Sequence, residues 1–314
     1  MRNIREALTQ YITVRRALGA TFREPAVTLG HFVTFLETEG AECITANLAL
    51  RWACQPVHVQ RATWARRLGM VRRFASWLSA FDPRTEVLPK RILHARHRRS
   101  KPYIFTDRDI EHLIAEASRL PSPKGLRAQT YVTLIGLLAS TGLRPGEALS
   151  LDVSDVDLEN GILAIRETKF GKSRFVPVTD TTCAALARYA KKRFEVCKHF
   201  QADGFLVCER GNRLSSHAAR RTFAKISTTI GLRTAIPGKR IGRGPRLQDM
   251  RHTFATRKVI EWYRSGLDVE RELPKLTTYL GHNDVGHTYW YIEAVPELLQ
   301  LATEHMSRKE VEHD

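Results

Sequence analysis

The sequence predicts a mainly α-helical protein. A helical N-terminal domain covers residues 1–88, a basic linker follows over 89–104, and a second helical domain with a small antiparallel β-sheet fills 105–314. Three observations lead there. Apolar residues recur at steps of three and four along most of the chain, the period of helices with one buried face. The stretch GILAIRETKFGKSRFVPV breaks that period with alternation and β-branched residues, the mark of strands. LPKRILHARHRRSKPYIF has prolines near both ends, many charges and few packing residues, the composition of a linker. A chain of 314 residues has room for two ordinary cores.

In order along the chain, Ile4, Leu8, Tyr11 and Ile12 form a first apolar face, and Leu29, Phe32, Val33, Phe35 and Leu36 a second. The longest stripe runs through Trp64, Leu68, Val71, Phe74 and Leu78, and its opposite face carries Arg66, Arg67, Arg72 and Arg73. Periodicity stops after Asp82-Pro83. His94 and His97 in the linker have no third ligand nearby, so a basic linker is the better reading than a metal site. Thr106 followed by Asp109 is a capping box that starts a helix with Ile110, Leu113 and Ile114 inward. A buried helix spans about Leu126 to Ser140. Two short strands come next, ENG preceding the first and KFGK at the hairpin tip. The remainder is helical, interrupted by the basic, glycine-rich loop TAIPGKRIGRGPR. Asp152, Asp155, Asp157 and Glu159 lack the ligand spacing of a calcium loop and read as a turn.

Charge narrows the function. Fifty Lys and Arg oppose 33 acidic residues, a net charge of +17. Thirteen of the basic residues lie between Arg51 and Lys101 against two acids, Asp82 and Glu86. Such concentration suits a surface that tracks phosphates, with Arg66, Arg67, Arg72, Arg73, Arg96, Arg98, Arg99 and Lys101 as its candidates. Five cysteines without a CxxC pair argue against a disulfide frame or zinc ribbon and fit a reducing cytoplasm. The opening MRNIREALTQ is no signal peptide, and YVTLIGLLASTGL is too short to span a bilayer. The expectation is a cytoplasmic, metal-free protein that binds a polyanion, nucleoid-associated when on DNA.

Four clusters in the second domain carry candidate chemistry. In TGLRPGEALSL, Gly142 suits a helix end and Pro145 the start of the next, so Arg144 projects from a tight turn; capping the preceding helix is the competing role. Lys169 sits at the hairpin tip, with Lys172 and Arg174 as alternative cations. In RLQDMRHTFAT, Leu247, Met250 and Phe254 form an apolar stripe, and Arg251 lies beside it, a guanidinium that needs an acceptor if half-buried. Gln248, Arg251 and His252 share spacings of three and four. In LGHNDVGHTYWYIEAVPELL, His282 precedes Tyr289 and Tyr291 by seven and nine residues.

Together these clusters resemble the tyrosine recombinase (phage integrase) family, in order and across the whole second domain. The resemblance implies a helical core-binding domain followed by a catalytic domain. It assigns the family's catalytic positions to Arg144, Lys169, Gln248, Arg251, His282 and Tyr291. It implies a site-specific recombinase that cuts and rejoins DNA through a 3′-phosphotyrosine, with no metal and no cofactor. Double-stranded DNA with specific recombination sites is the implied partner, gripped by a homotetramer on paired sites, alone or with related recombinase subunits.

The residue types suit that chemistry. A tyrosine phenol holds the phosphoryl group covalently, conserving the energy for rejoining. Two arginines offer permanently charged, forked donors to the non-bridging oxygens. A hairpin lysine can protonate the leaving 5′ oxygen, and His282 adds a hydrogen bond.

Two departures stand out. Gln248 occupies a position where the family usually has histidine, and glutamine is no base at neutral pH. EWYRSGLDVERELPK, with Glu270, Arg271, Glu272 and Lys275, reads as an insertion that forms a surface feature or partner contact. VPELLQLATEHM, with Leu298, Leu299 and Leu301, is an amphipathic candidate for docking on its own domain or a neighbouring subunit. A type IB topoisomerase-like enzyme and a catalytically impaired DNA-binding regulator are the alternative readings.

Overall fold

The computed structural model describes residues 3–90, 92–93, 101–166, 173–198, 203–234 and 244–281. The chain divides into two compact units, residues 1–100 and 101–314. Helices dominate, joined by one three-stranded antiparallel sheet, which is the class the sequence predicts. Among the described residues no helix is long and apolar enough to cross a membrane.

The first unit contains α1 (Ile4–Ala17), α2 (Arg23–Thr38), α3 (Ala46–Cys54) and α4 (Arg61–Leu78). The stripes read from the sequence meet in one core: Leu8 and Tyr11, then Leu29, Phe32, Val33 and Leu36, then Leu68, Val71, Phe74 and Leu78. Sequence reasoning missed α3, which is too short to show a clear period. Thr45 starts it by accepting the Leu48 N–H, and its Trp52 packs 5.1 Å from the Phe32 ring. Leu93, assigned to the linker, packs on this core.

The basic face of α4 is not uniform. Arg66 is exposed and pairs with Glu24 at 2.9 Å, and Arg73 is exposed. Arg67 turns inward instead: its guanidinium lies 3.8 Å from the Trp52 ring centre and donates to the Trp52 carbonyl at 2.9 Å. Burial lowers its pKa, and the ring face and carbonyl offset part of the lost hydration. Arg67 thus serves the fold of the unit rather than its surface.

The second unit begins with Tyr103 and Phe105. The Phe105 N–H donates to Thr253 Oγ1 at 3.0 Å, and its carbonyl accepts from Arg257. α5 (Asp107–Ser118) starts at the expected capping box: Thr106 Oγ1 accepts the Asp109 N–H at 3.1 Å, and Asp109 Oδ2 accepts the Thr106 N–H at 2.8 Å. α6 (Leu126–Thr141) is the central buried helix. Leu134 and Leu138 meet Leu163, Val176, Leu186, Phe223 and Met250 in the main core. After α7 (Pro145–Ser150) and a single 3-10 turn, Val153–Asp155, come β1 (Val156–Asp157), β2 (Ile162–Ile165) and β3 (Arg174–Pro177), hydrogen-bonded in that order.

The sheet corrects the two-strand expectation. A two-residue strand precedes ENG, so ENG is a turn between paired strands, with Val156 opposite Leu163. Asp157 Oδ1 shapes that turn by accepting the N–H groups of Glu159 and Asn160. α8 (Asp180–Cys197), α9 (Ser216–Thr229), α10 (Asp249–Arg264) and α11 (Val269–Leu280) follow. The segment read as a surface insertion, residues 261–275, proves to be the last turn of α10, a short connection and the first half of α11. Its charges do face outward, but Val269, Leu273, Leu276 and Leu280 form a separate small core with Ala255 and Val259 of α10. Most of the loop TAIPGKRIGRGPR, residues 235–243, lies outside the described residues.

The end of α6 packs tightly against α10. Gly142 takes φ +61, and a Cβ built there would sit 2.5 Å from the Phe254 ring. Backbone strain and overlap act together, so Gly142→Ala should cost about 3 kcal/mol. A thermal midpoint lowered by roughly 6–12 °C would register that cost. An unchanged midpoint would show that Phe254 yields freely.

Candidate active site

The Gly142–Arg144 turn and the end of α11 together gather the cationic residues. Arg144 is the residue before Pro145, which fixes its extended backbone and starts α7. Glu147, one turn into that helix, reaches back. Its Oε2 accepts the Arg144 N–H at 3.0 Å, and its Oε1 accepts Arg144 Nη1 at 2.7 Å. Arg144 is thus held by an acid on its own helix, and it also donates from Nη2 to the Gly281 carbonyl at 3.1 Å. The side chain stays 34% exposed.

Among the described residues, Arg251 is the most deeply buried of the predicted cations, with 1% exposure. The sequence placed it beside an apolar stripe and required an acceptor. Two carbonyl oxygens are among its acceptors: Nη1 donates to Gly142 at 3.0 Å and Nη2 to Leu280 at 2.7 Å. The stripe itself divides. Leu247 and Met250 join the main core, whereas Phe254 packs with the α10–α11 cluster and stacks on Tyr279.

Arg174 settles one alternative. It begins β3, faces the same side as buried Val176, and is 12% exposed. Its Nη1 and Nη2 donate to Glu147 Oε1 and Oε2 at 3.2 and 2.9 Å, and its Nε donates to the Tyr279 carbonyl at 2.8 Å. A guanidinium tied at three atoms is not the mobile hairpin cation. Lys169 and Lys172 fall outside the described residues, as do His282, Tyr289 and Tyr291.

Glu147 is therefore shared by two arginines. Burial raises its pKa, but hydrogen bonds and charge from Arg174 and Arg144 outweigh that and leave it below the ordinary carboxylate value. Sequence reasoning missed Glu147 and named Arg174 only as an alternative hairpin cation, not as a partner of that glutamate. A signal existed for each: a glutamate at the third position of a proline-started helix, and a charge two residues from an inward valine.

Arg144 and Gln248 line one cavity of about 710 Å³, together with Glu147, Asp155 and Arg166. Asp155, whose side chain is 7% exposed, accepts Arg166 Nε at 2.5 Å, so the acids on this wall are largely neutralised. Gln248 is half-buried at the start of α10. The cavity can receive a doubly liganded anion such as a phosphodiester, with Arg144 at its rim and Gln248 as a neutral donor. Burial pushes the Tyr279 phenol up to about 12, so Tyr279, although close to Arg174, stays protonated. Of the proposed DNA-contacting residues, Arg66, Arg72, Arg73 and Lys101 lie among the described residues outside this cavity, and Arg96, Arg98 and Arg99 lie outside the described set.

His252 does not share the cavity. Burial pushes its imidazole down to about 4 from the usual 6.5; Asp249 opposes that shift, while Arg246 and Arg251 reinforce it. The folded protein thus favours the neutral ring. Above pH 6.5 neither folded nor unfolded chain holds the proton, and stability is full. As pH falls from 6.5 towards 4 the unfolded chain takes up the proton first, and stability is lost. The loss between pH 7 and pH 5 should be about 2 kcal/mol by linkage. Urea midpoints across that range would measure it, and His252→Gln should flatten the slope.

Comparison with known proteins adds the family context. The phage integrase family model matches residues 104–297. A Sinorhizobium fredii protein that carries the name integrase/recombinase y4rB is 44% identical over 313 residues, 98% of each chain. Tyrosine recombinase XerD of Neisseria meningitidis is 28% identical over 251 residues, 79% of this chain and 78% of its own. Among solved structures, the Tn1549 transposon integrase in complex with transposon right end DNA aligns over 96% of this chain and 98% of that one. Its TM-score is 0.65 at 18% identity, a likeness of fold.

Proposed function

The chain belongs to the phage integrase family of tyrosine recombinases, and from that premise we propose that it cuts and rejoins DNA at specific sites through a 3′-phosphotyrosine on Tyr291. One observation carries the assignment of residues. Arg144 and Arg251, over a hundred positions apart in sequence, are brought to one turn and one helix end, Arg144 opening onto a cavity that Gln248 also lines.

In this reading the scissile phosphate enters that cavity. Arg144 turns a free donor to one non-bridging oxygen, and Arg251 exchanges a carbonyl acceptor for a charged one, a stronger bond. Tyr291 Oη attacks phosphorus while its proton passes to solvent, the Oη–P bond forms, and the P–O5′ bond breaks. Lys169 gives its proton to the departing 5′ oxygen, and His282 donates to the phosphate. Extra negative charge in the transition state is met by guanidinium groups without a metal. Arg66, Arg72, Arg73, Arg96, Arg98, Arg99 and Lys101 follow the DNA backbone, and four subunits assemble on two paired sites.

The test begins from a library of nicked duplexes with a randomised core. Protein trapped covalently on DNA is recovered, the DNA is sequenced, and the modified peptide is identified by mass. A tyrosine-linked 3′ phosphate on Tyr291 at a defined sequence is the expected result. A regulator without catalysis gives no adduct at all, and a topoisomerase-like enzyme gives adducts on duplexes of every sequence.

Gln248 offers a milder test. A histidine there can both donate to the phosphate and carry a proton, so Gln248→His should cleave at the wild-type rate or up to about ten times faster. Total loss of cleavage would show that the amide has a contact only it can make.

A further inference from the structure

Three consecutive carbonyls close α11, and three arginines take one each. Arg174 binds that of Tyr279 at 2.8 Å, Arg251 that of Leu280 at 2.7 Å, and Arg144 that of Gly281 at 3.1 Å. A helix end leaves such carbonyls without partners within the helix and carries partial negative charge, so it is a natural seat for cations. Two of these arginines are the proposed phosphate clamp. The third has no part in the cleavage chemistry itself.

We propose that Arg174 is a positioning residue for the cleavage reaction, holding Glu147 off full neutralisation of Arg144 and fixing β3 to the helix end that carries the clamp. This rests on the recombinase reading of the same site. Four distances define the arrangement. Glu147 gives Oε1 to the Arg144 guanidinium, Oε2 to the Arg144 backbone N–H, and both oxygens to the Arg174 guanidinium, so one buried anion is divided between two cations. Without Arg174 the same carboxylate would face Arg144 alone and cancel its charge towards an incoming phosphate. With it, the cluster keeps a net positive charge beside the cavity.

The second half of the role is mechanical. Arg174 is the first residue of β3, directly after the segment that contains Lys169, and it pairs across the sheet with Ile165. On the opposite stem Arg166 is tied to Asp155 at 2.5 Å. Both stems of the lysine hairpin are therefore anchored by ion pairs, and the β3 anchor is the one shared with Arg144. Gly281 supports the same geometry independently. A Cβ at that position would lie 2.8 Å from Arg174 Nη1, so the close seat of this guanidinium requires glycine there.

The experiment uses the full chain and a nicked duplex carrying the selected core sequence, with single-turnover adduct formation measured against DNA concentration. Arg174→Gln should lower the saturated rate by about a hundred-fold, as loss of one preorganised electrostatic contact does, while the half-saturating DNA concentration stays within about three-fold. Glu147→Gln added to Arg174→Gln should recover at least about five-fold of that rate, because the unbalanced carboxylate is gone. A purely structural Arg174 predicts the double variant to be as slow or slower, and that result overturns the proposal. So does a wild-type saturated rate in Arg174→Gln. If Arg174→Gln does not fold, Arg174→Lys serves: one amine cannot span both carboxylate oxygens and the Tyr279 carbonyl, so a rate about ten-fold down is expected and an unchanged rate refutes the role. Failure of the recombinase reading is seen separately, as absence of adduct from the wild-type chain.

Discussion

Tyr291→Phe should bind its DNA site as tightly as the wild type and form no covalent adduct with it. The substitution removes one oxygen and leaves the ring, so packing and any contact made by the aromatic face survive. What disappears is the atom that bonds to phosphorus, and no step of the proposed reaction proceeds without it. On a nicked duplex the expected loss is complete within detection, whereas the equilibrium mobility shift is unchanged. Tyr289 lies two residues away and is the obvious substitute. An adduct that persists in Tyr291→Phe and maps to Tyr289 would move the nucleophile and leave the rest of the site standing.

Arg251→Ala should show the second largest effect, and it should appear in two measurements. Its guanidinium joins the Gly142 carbonyl to that of Leu280, closing contacts 109 and 29 residues long in sequence. Removal leaves both carbonyls buried without that donor and opens a void, at a cost of about 3–5 kcal/mol of stability. Cleavage should fall by about a thousand-fold or more even below the unfolding temperature, as expected for losing a phosphate donor. Arg251→Lys separates the two effects. The amine keeps the charge but cannot span both carbonyls, so most stability returns while cleavage remains about a hundred-fold down. Full cleavage by Arg251→Lys would show that charge alone suffices and that the fork has no part.

Particular residues show how far the sequence could be read. The Thr106–Asp109 box, the stripe on α4 and the turn around Arg144 rest on local spacing, and local spacing is what a sequence displays. The burial of Arg251 was legible as a charge beside an apolar stripe. Its partners were not, because they are backbone carbonyls of distant residues and any residue type supplies one. The same holds for the convergence of Arg144, Arg174 and Arg251 on the end of α11. α3 and β1 were missed for a different reason: nine residues and two residues are too few to establish a period. α11 was misread although its pattern was visible. Val269, Leu273, Leu276 and Leu280 recur at steps of four, three and four, but the charges between them drew attention to the surface. Arg174 was obscured by the reverse arrangement, since its strand points an arginine inward and leaves Phe175 76% exposed.

The carbonyls of Tyr279, Leu280 and Gly281 also bear on the life of the chain before it is finished. A ribosome delivers Arg144 and Arg251 well ahead of these three residues, and domains fold as units while synthesis proceeds. Until α11 has emerged and docked, Arg144 has Glu147 and Arg251 has the Gly142 carbonyl, but neither has its acceptor at the end of α11, and the segment bearing His282 and Tyr291 follows later still. A nascent chain on its way out is therefore basic enough to touch DNA but unarmed. In the proposed reaction the capacity to break a strand arrives late, with the same turn of helix that holds its cations in place.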